Sequence, residues 1–339
     1  MSARHRSSTV ATFGILSLLF MLLITACGGT STTNTSSNSS LQGKQAISIG
    51  LGYVPDIQFA PFYVAKSKGY YSQAGLDVTF HHGIVPDLIG SMVAGKNTFV
   101  FAGGDELLTA RNSNKQIKAL DVATIFQKYP VSLIVPADSS IKSLSDLKGH
   151  TIGVPGAYGS TYTALLAFLY KAHLSTSDVK IQSIGFTQVP ALLAHRVDAV
   201  MGYSNNEPLQ LEQHGLKVRT FPISDYQPIV SNGIIAPEEI YQQQPAMVRS
   251  FVQATLKGLR DVIANPDEAL QVSQSYIPGM NTTQARAVLK ATIPIYQGDG
   301  KLGNNDDATW QSMEQFLVAE KLITPVDNLT SVYTNKTVA

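Results

Sequence analysis

Groups able to bind or react cluster at a few points along this 339-residue chain, and most of them are aromatic, amide or acidic. Tyr53, Asp56, Gln58 and Phe59 form one cluster, and Gly103-Gly104-Asp105-Glu106 a second. Phe126 to Tyr129 is a third and Gly156-Ala157-Tyr158-Gly159-Ser160-Thr161-Tyr162 a fourth. Tyr203, Asn205, Asn206 and Glu207 make a fifth, with Ser231 and Asn232 a weaker sixth. Aromatic faces stack, and asparagine presents both a donor and an acceptor. Each cluster also has a plain structural reading. Tyr53 and Phe59 fit a core, Asp56 or Ser160 a helix cap, and the 203–207 stretch a polar turn ahead of a helix.

Reactive constellations are missing. There is no GxSxG nucleophile elbow and no GxxxxGK[ST] phosphate loop. His81-His82 is the only histidine pair, and no HxxxH, HxH or carboxylate cluster accompanies it, so it reads as satisfied polar residues rather than a metal site or a general base. Cys27 is the single cysteine, which removes disulfide frameworks, CxxC redox pairs and cysteine zinc sites together. The expectation is therefore no catalytic residue, no metal and no cofactor. With 14% charged residues and a net charge of +1, nothing points to nucleic acid as a partner. At 44% hydrophobic the chain can bury a core, which excludes wholesale disorder.

The clusters sit where short β-branched runs give way to helical stretches. Ile47 to Tyr53 alternates with period two and reads as a strand, and Phe59 to Lys68 as a helix stopped at Gly69. Strands over Leu76–His81, Phe99–Ala102 and Ile117–Thr124 then alternate with helices over Asp87–Ala94 and Glu106–Asn112. The rhythm restarts after Tyr129-Pro130. Strands over Val131–Val135, Thr151–Val154, Val179–Ile184, Ala199–Gly202 and Val218–Phe221 alternate with helices, among them Ser143–Gly149, Ser160–Ala172, Pro190–His195 and Glu207–His214. From Pro245 the chain is helical, over Pro245–Asn265, Thr282–Ile293 and Asp306–Lys321, where Trp310 reads as packing. No sequence-level repeat is visible. The reading is two α/β lobes, each with a mainly parallel sheet, plus a helical C-terminal segment. In open α/β sheets the ligand crevice lies outside the carboxyl ends of the strands, which favours ligand contact by the clusters above.

The N-terminus reads as an address. Arg4, His5 and Arg6 precede an apolar run over Val10–Ile24, shorter than the ~20 residues of a membrane span and suited to an export signal. Leu23-Ile24-Thr25-Ala26-Cys27-Gly28 resembles the bacterial lipobox, which implies a signal peptide over 1–26 and lipidation of Cys27. Removing 1–26 takes away Arg4 and Arg6 and turns the net charge from +1 to −1. Residues 27–45 follow as a lipid-anchored linker, and the Gly28–Ser40 stretch, without apolar or charged residues, is expected to be flexible.

Gly52-Tyr53-Val54-Pro55-Asp56-Ile57-Gln58-Phe59-Ala60-Pro61-Phe62-Tyr63-Val64-Ala65, then Lys68-Gly69-Tyr70-Tyr71 and Ala74-Gly75-Leu76-Asp77-Val78, resemble the opening of ABC-importer substrate-binding proteins of the SsuA/THI5-like (NMT1) family. Met92-Val93-Ala94-Gly95, Leu144-Ser145-Asp146-Leu147-Lys148-Gly149, Ile152-Gly153-Val154-Pro155-Gly156 and Arg196-Val197-Asp198-Ala199-Val200 follow in the family's order. The resemblance implies a two-lobed type II periplasmic-binding-protein fold with ligand in the interlobe cleft. It implies a first lobe over 46–130, a second over 131–226, and a return over 227–339 whose helices, with Leu256 and Val262, pack on the first lobe. The implied partners are a small-molecule ligand, an ABC permease with its ATPase, and the membrane through the lipid anchor. From their place at strand ends and their chemistry, the residues expected to line that cleft are Tyr53, Asp56, Gln58, Phe59, Asp105, Tyr129, Tyr158, Gly159, Ser160, Tyr162, Tyr203, Asn205, Asn206, Glu207 and Asn232.

Within the family two vitamin-related ligands compete. The pyrimidine binders carry a tryptophan followed by Pro-Asn where this chain has Tyr53-Val54-Pro55-Asp56, and the 52–65 run together with Gly202-Tyr203-Ser204-Asn205-Asn206-Glu207-Pro208 looks more like the riboflavin-binding members. A sulfonate or nitrate ligand would call for a cationic cleft, whereas the candidate loops hold no Arg or Lys except Lys128. Riboflavin is expected, with a thiamine pyrimidine precursor as the alternative. The pyrimidine synthases of the same fold carry a cysteine-rich motif and a histidine near the position of Asp105. This chain has neither there, so an enzyme is not expected.

Overall fold

Two five-stranded sheets organise residues 43–339, which a computed structural model describes; the stretch expected to be an export signal, Cys27 and nearly all of the expected linker lie outside the described residues. In the first lobe β1 (Gln45–Leu51) leads through α1 (Ala60–Ser67) and α2 (Tyr70–Gln73) to β2 (Leu76–His82). Then come α3 (Val85–Val93), β3 (Phe99–Gly103), α4 (Gly104–Ser113) and β4 (Ala119–Thr124). The second lobe runs β5 (Val131–Pro136), β6 (Thr151–Val154), α5 (Gly159–Lys171), β7 (Lys180–Ser183), α6 (Gln188–Leu193), β8 (Ala199–Tyr203), α7 (Glu207–Gln213) and β9 (Val218–Pro222). The chain then returns to the first sheet with β10 (Asn232–Pro237), followed by α8 (Glu238–Gln243), α9 (Pro245–Ala264), α10 (Pro266–Ser273), α11 (Thr282–Gln297) and α12 (Asp307–Ala319).

The strand orders are β2-β1-β3-β10-β4 and β7-β6-β8-β5-β9. The two lobes therefore share one wiring, although no sequence repeat announces it. In each sheet four strands run parallel and one is reversed: β10 pairs antiparallel with β3 and β4, and β5 with β8 and β9. The reversed strand is in both cases the first one after a crossing. Parallel strands end at the cleft, so a chain arriving from the other lobe enters its new sheet at that edge and must run away from it. The central strand β3 (FVFAG) is buried at every residue, as befits a strand covered on both faces, whereas edge strand β2 alternates buried and exposed positions at its start.

The helical segment packs back on the first lobe. Helix α9 buries Met247, Val248, Phe251, Thr255, Leu259 and Val262 at three- and four-residue spacing and lies along α1. Leu256 and Val262 both join the first-lobe core. Phe251 stacks on Phe99 at 4.4 Å and on Tyr71 at 5.2 Å. The two helices approach so closely that a Cβ on Gly258 would stand 2.3 Å from the Pro61 carbonyl oxygen. Helix α12 touches α4, and its Phe316 meets Tyr170 of the second lobe with ring centroids 6.0 Å apart. Trp310 is fully buried, stacks on Tyr333 at 5.0 Å and donates its indole N–H to Asn305 Oδ1 at 2.8 Å.

The structure differs from the sequence reading in places. β1 stops at Leu51, because the Tyr53 N–H turns back to the Leu51 carbonyl at 2.8 Å, a three-residue turn that ends the ladder. Ser143–Gly149 contains a single 3-10 turn over Leu144–Leu147, anchored by Asp146 accepting from the Lys142 and Ser143 N–H groups. Strand β10 and helices α2, α8 and α10 have no counterpart in the sequence reading. Among the described residues no helix is long and apolar enough to cross a membrane.

Candidate functional site

Strand ends from both sheets converge on a cavity of about 80 Å³ between the lobes. The first lobe contributes Tyr53, two residues past β1, Gln58 and Phe59 from the turn before α1, and Glu106 from the first turn of α4. The second lobe contributes Tyr158, Gly159 and Ser160 where α5 begins, Phe186 beyond β7, and Tyr203, Asn206 and Glu207 where β8 passes into α7. Asn232, at the start of β10, closes the hinge side. Gly159 has φ +73°, a left-handed conformation natural to glycine, and it lets the α5 N-terminus turn toward the first lobe.

Aromatic rings face each other across the opening. Tyr53 and Phe186, from opposite lobes, meet edge to face with centroids 4.8 Å apart and an interplanar angle of 79°. Phe186 remains 38% exposed, so its free face is available to a flat partner. Behind Tyr53, His82 contacts the Tyr53 carbonyl through Nδ1 at 3.1 Å and packs against Phe59 at 5.4 Å. Burial keeps His82 below the usual imidazole range, so the ring is neutral and its Nδ1–H is the donor. The other histidine of the pair, His81, bonds Asn97 at 2.7 Å.

The polar side of the cavity is acidic. Glu106 Oε2 accepts from the Gly103 N–H at 2.8 Å, and Glu207 Oε2 accepts from the Tyr203 N–H at 2.7 Å. Burial pushes Glu207 up to about 7. Burial also raises Asp105 and Glu106, and the neighbouring Asp105 charge raises Glu106 further. Tyr53 is held well above the usual phenol range, chiefly by burial and then by the charges of Glu207 and Asp56. Among the described residues no group of three His, Cys, Asp or Glu side chains is placed to hold a metal ion.

Ten of the fifteen expected site residues line this cavity: Tyr53, Gln58, Phe59, Tyr158, Gly159 and Ser160, with Tyr203, Asn206, Glu207 and Asn232. The other five stand behind it. Asp56 caps the turn before α1, accepting from the Gln58 N–H at 3.0 Å, and burial pushes its carboxyl up to about 6. Asp105 is fully buried; its Oδ1 accepts from the Ser160 hydroxyl at 3.1 Å, while Oδ2 has no partner among the described residues. Tyr129 donates its hydroxyl to the Ser160 carbonyl at 3.0 Å. These two contacts tie the hinge and α4 to α5. Tyr162 packs half-buried against the core, and Asn205 donates to Thr292 of α11 at 2.7 Å. Cys27 lies outside the described residues. Phe186, Gln188, Phe101 and Val85 line the cavity without having been expected there. The signal for Phe186 was available, since it follows a parallel strand just as Tyr53 does.

The family described as NMT1/THI5 like matches residues 56–269. The riboflavin-binding protein RibY of Chloroflexus aurantiacus is 34% identical over 338 residues, covering 95% of this chain and 96% of that protein. A formylaminopyrimidine-binding protein of Halalkalibacterium halodurans is 26% identical over 316 residues, covering 91% and 93%. The periplasmic aliphatic sulphonate binding protein SsuA from Escherichia coli superposes with a TM-score of 0.71 at 14% identity, covering 87% of this chain and 99% of that one. The two sheets thus have the periplasmic-binding-protein arrangement, and the chain belongs to the NMT1/THI5-like family.

Proposed function

We propose that this chain is the extracytoplasmic receptor of an ABC importer, tethered through a lipid on Cys27, and that it captures riboflavin for a membrane permease. The observation that carries the reading is the interlobe cavity, walled by aromatic rings and hydrogen-bonding groups and lined by no Lys or Arg among the described residues. An isoalloxazine ring offers two flat faces for Tyr53 and Phe186, and its ribityl chain offers hydroxyls to Asn206, Asn232, Ser160 and the two glutamates. The 34% identity to a riboflavin-binding protein over nearly the whole chain supports the same ligand. The cavity of about 80 Å³ is smaller than the ~300–1,000 Å³ of typical ligand pockets, so a tricyclic ligand enters with the lobes further apart than they stand here. Lobe motion about the two crossing segments, 125–130 and 223–231, then provides the ligand-driven closure that a permease can read.

A thiamine-type aminopyrimidine is the second reading. It is favoured by the small cavity and by the formylaminopyrimidine-binding relative.

The test is a thermal-unfolding panel with the full chain and three ligands, riboflavin, an aminopyrimidine alcohol and an alkanesulfonate. A ligand at about 100 times its Kd adds ~2.7 kcal/mol of stability, enough to move the midpoint visibly. Riboflavin is expected to raise it most. A shift with the aminopyrimidine and none with riboflavin would transfer the assignment to the second reading.

A further inference from the structure

Glu106 and Glu207 occupy equivalent places in the two lobes. β3 and β8 hold the same position in their sheets, and each glutamate lies in the first turn of the helix that follows. Each spends one oxygen on the backbone N–H at its own strand end, at 2.8 and 2.7 Å, and both side chains line the same cavity. The second oxygen of Glu106 faces the opposite lobe, where a Cβ on Gly159 would stand 3.0 Å from it.

Five helices, α3, α4, α5, α6 and α7, begin at this cavity. Free N–H groups at helix starts are natural seats for phosphate or sulfonate. Here the starts of α4 and α7 carry built-in carboxylates instead. No cation offsets them in the lining among the described residues, and Lys128 near the hinge is half exposed and paired with Asp299 at 3.3 Å.

We propose that Glu106 and Glu207 are a specificity-determining pair that admits the uncharged ligand and rejects its phosphorylated form, by presenting a carboxylate from each lobe where a phosphate would otherwise settle. This rests on the vitamin-receptor reading and deepens it. One consequence concerns supply: a phosphomonoester source of the ligand has to pass through a phosphoester hydrolysis step before this protein takes it up. Closure brings both lobes onto the ligand, so once the two glutamates are ionised an anion meets repulsion from two sides at the moment the cleft shuts.

The experiment uses the full chain, refolded free of ligand, at pH 9, above the raised values of about 7 for Glu207 and about 8 for Glu106. Flavin fluorescence follows riboflavin and riboflavin 5′-phosphate, and calorimetry follows an aminopyrimidine alcohol and its phosphomonoester. The unmodified protein is expected to prefer the unphosphorylated member of the pair it binds by at least a hundredfold. Glu106→Gln and Glu207→Gln each keep the oxygen that accepts from the strand-end N–H while removing the charge. Each is expected to shrink the preference at least fivefold, chiefly by strengthening the phosphorylated ligand, and the double variant to shrink it further. Binding of a phosphorylated ligand within threefold of its parent, or an unchanged ratio in variants with unaltered melting temperature, would overturn the proposal and leave the receptor reading intact. Discrimination within the pyrimidine pair with no flavin binding would overturn riboflavin as ligand and support the charge rule. Failure of all four ligands would overturn both.

Discussion

Tyr53 and Phe186 belong to different lobes and meet across the cleft, so ligand binding should depend on both rings. Truncating a buried aromatic anchor typically costs ~2 kcal/mol or more, about thirtyfold in affinity. Tyr53→Ala and Phe186→Ala are each expected to weaken riboflavin binding by that order in a fluorescence titration, whereas Tyr53→Phe, which keeps the face, stays within about threefold. Loss of binding in Tyr53→Phe equal to that in Tyr53→Ala would show that the hydroxyl and not the ring is what matters. At this scale the sequence was partly legible. Tyr53, Glu207 and Asn206 line the cavity as expected from sequence, because the ends of apolar strands are easy to place. Choosing between Asp105 and Glu106, or between Asn205 and Asn206, was harder. Successive residues at a helix start point roughly 100° apart, and nothing in the sequence says which one faces the cleft. The structure aims Glu106 and Asn206 at the cavity and turns Asp105 toward Ser160 and Asn205 toward Thr292.

Elements carry the next scale. The first lobe is held partly by α9 lying against α1 at a distance that only Gly258 permits. Gly258→Ala forces a methyl into the Pro61 carbonyl and the Ala65 backbone, and overpacking of this kind costs ~1–3 kcal/mol. Thermal unfolding is expected to show a midpoint several degrees lower, while the ratio of riboflavin to aminopyrimidine affinity stays constant because neither Gly258 nor Pro61 nor Ala65 lines the cavity. An unchanged midpoint would mean that the two helices separate without penalty. Most strands were readable because they alternate with helices and are β-branched. β10 was not, since Asn232-Gly233-Ile234-Ile235-Ala236-Pro237 carries turn-type residues at both ends and makes all its pairs with distant segments. For the same reason the common wiring of the two sheets was invisible. It resides in strand order, which the sequence does not display.

For the whole molecule, buried carboxyls set how stability depends on pH. Glu207 at about 7 and Asp121 at about 7 sit above their ordinary values of 4.5 and 3.8, and Asp105 and Glu106 are raised as well, burial being the leading cause in each case. A group whose folded pKa is raised keeps its proton longer when folded, so stability falls as pH rises between the unfolded and folded values. Ligand-free protein is therefore expected to melt at a higher temperature near pH 5 than near pH 8. Asp146 and Asp178 are depressed by hydrogen bonds from their own turns, and Asp261 by bonds from Tyr70 and Lys68 that outweigh its partial burial; they act in the opposite sense, but only below about pH 4. A midpoint that rises steadily from pH 5 to pH 8 would contradict this account of the buried acids. The central claim, a receptor that encloses riboflavin between its lobes, is tested most directly by titrating riboflavin fluorescence with the refolded, ligand-free chain. The account predicts saturable quenching at one site per chain with a Kd below about 1 μM, or ~8 kcal/mol and more. Unquenched flavin up to tens of micromolar of a protein shown to be folded would contradict it.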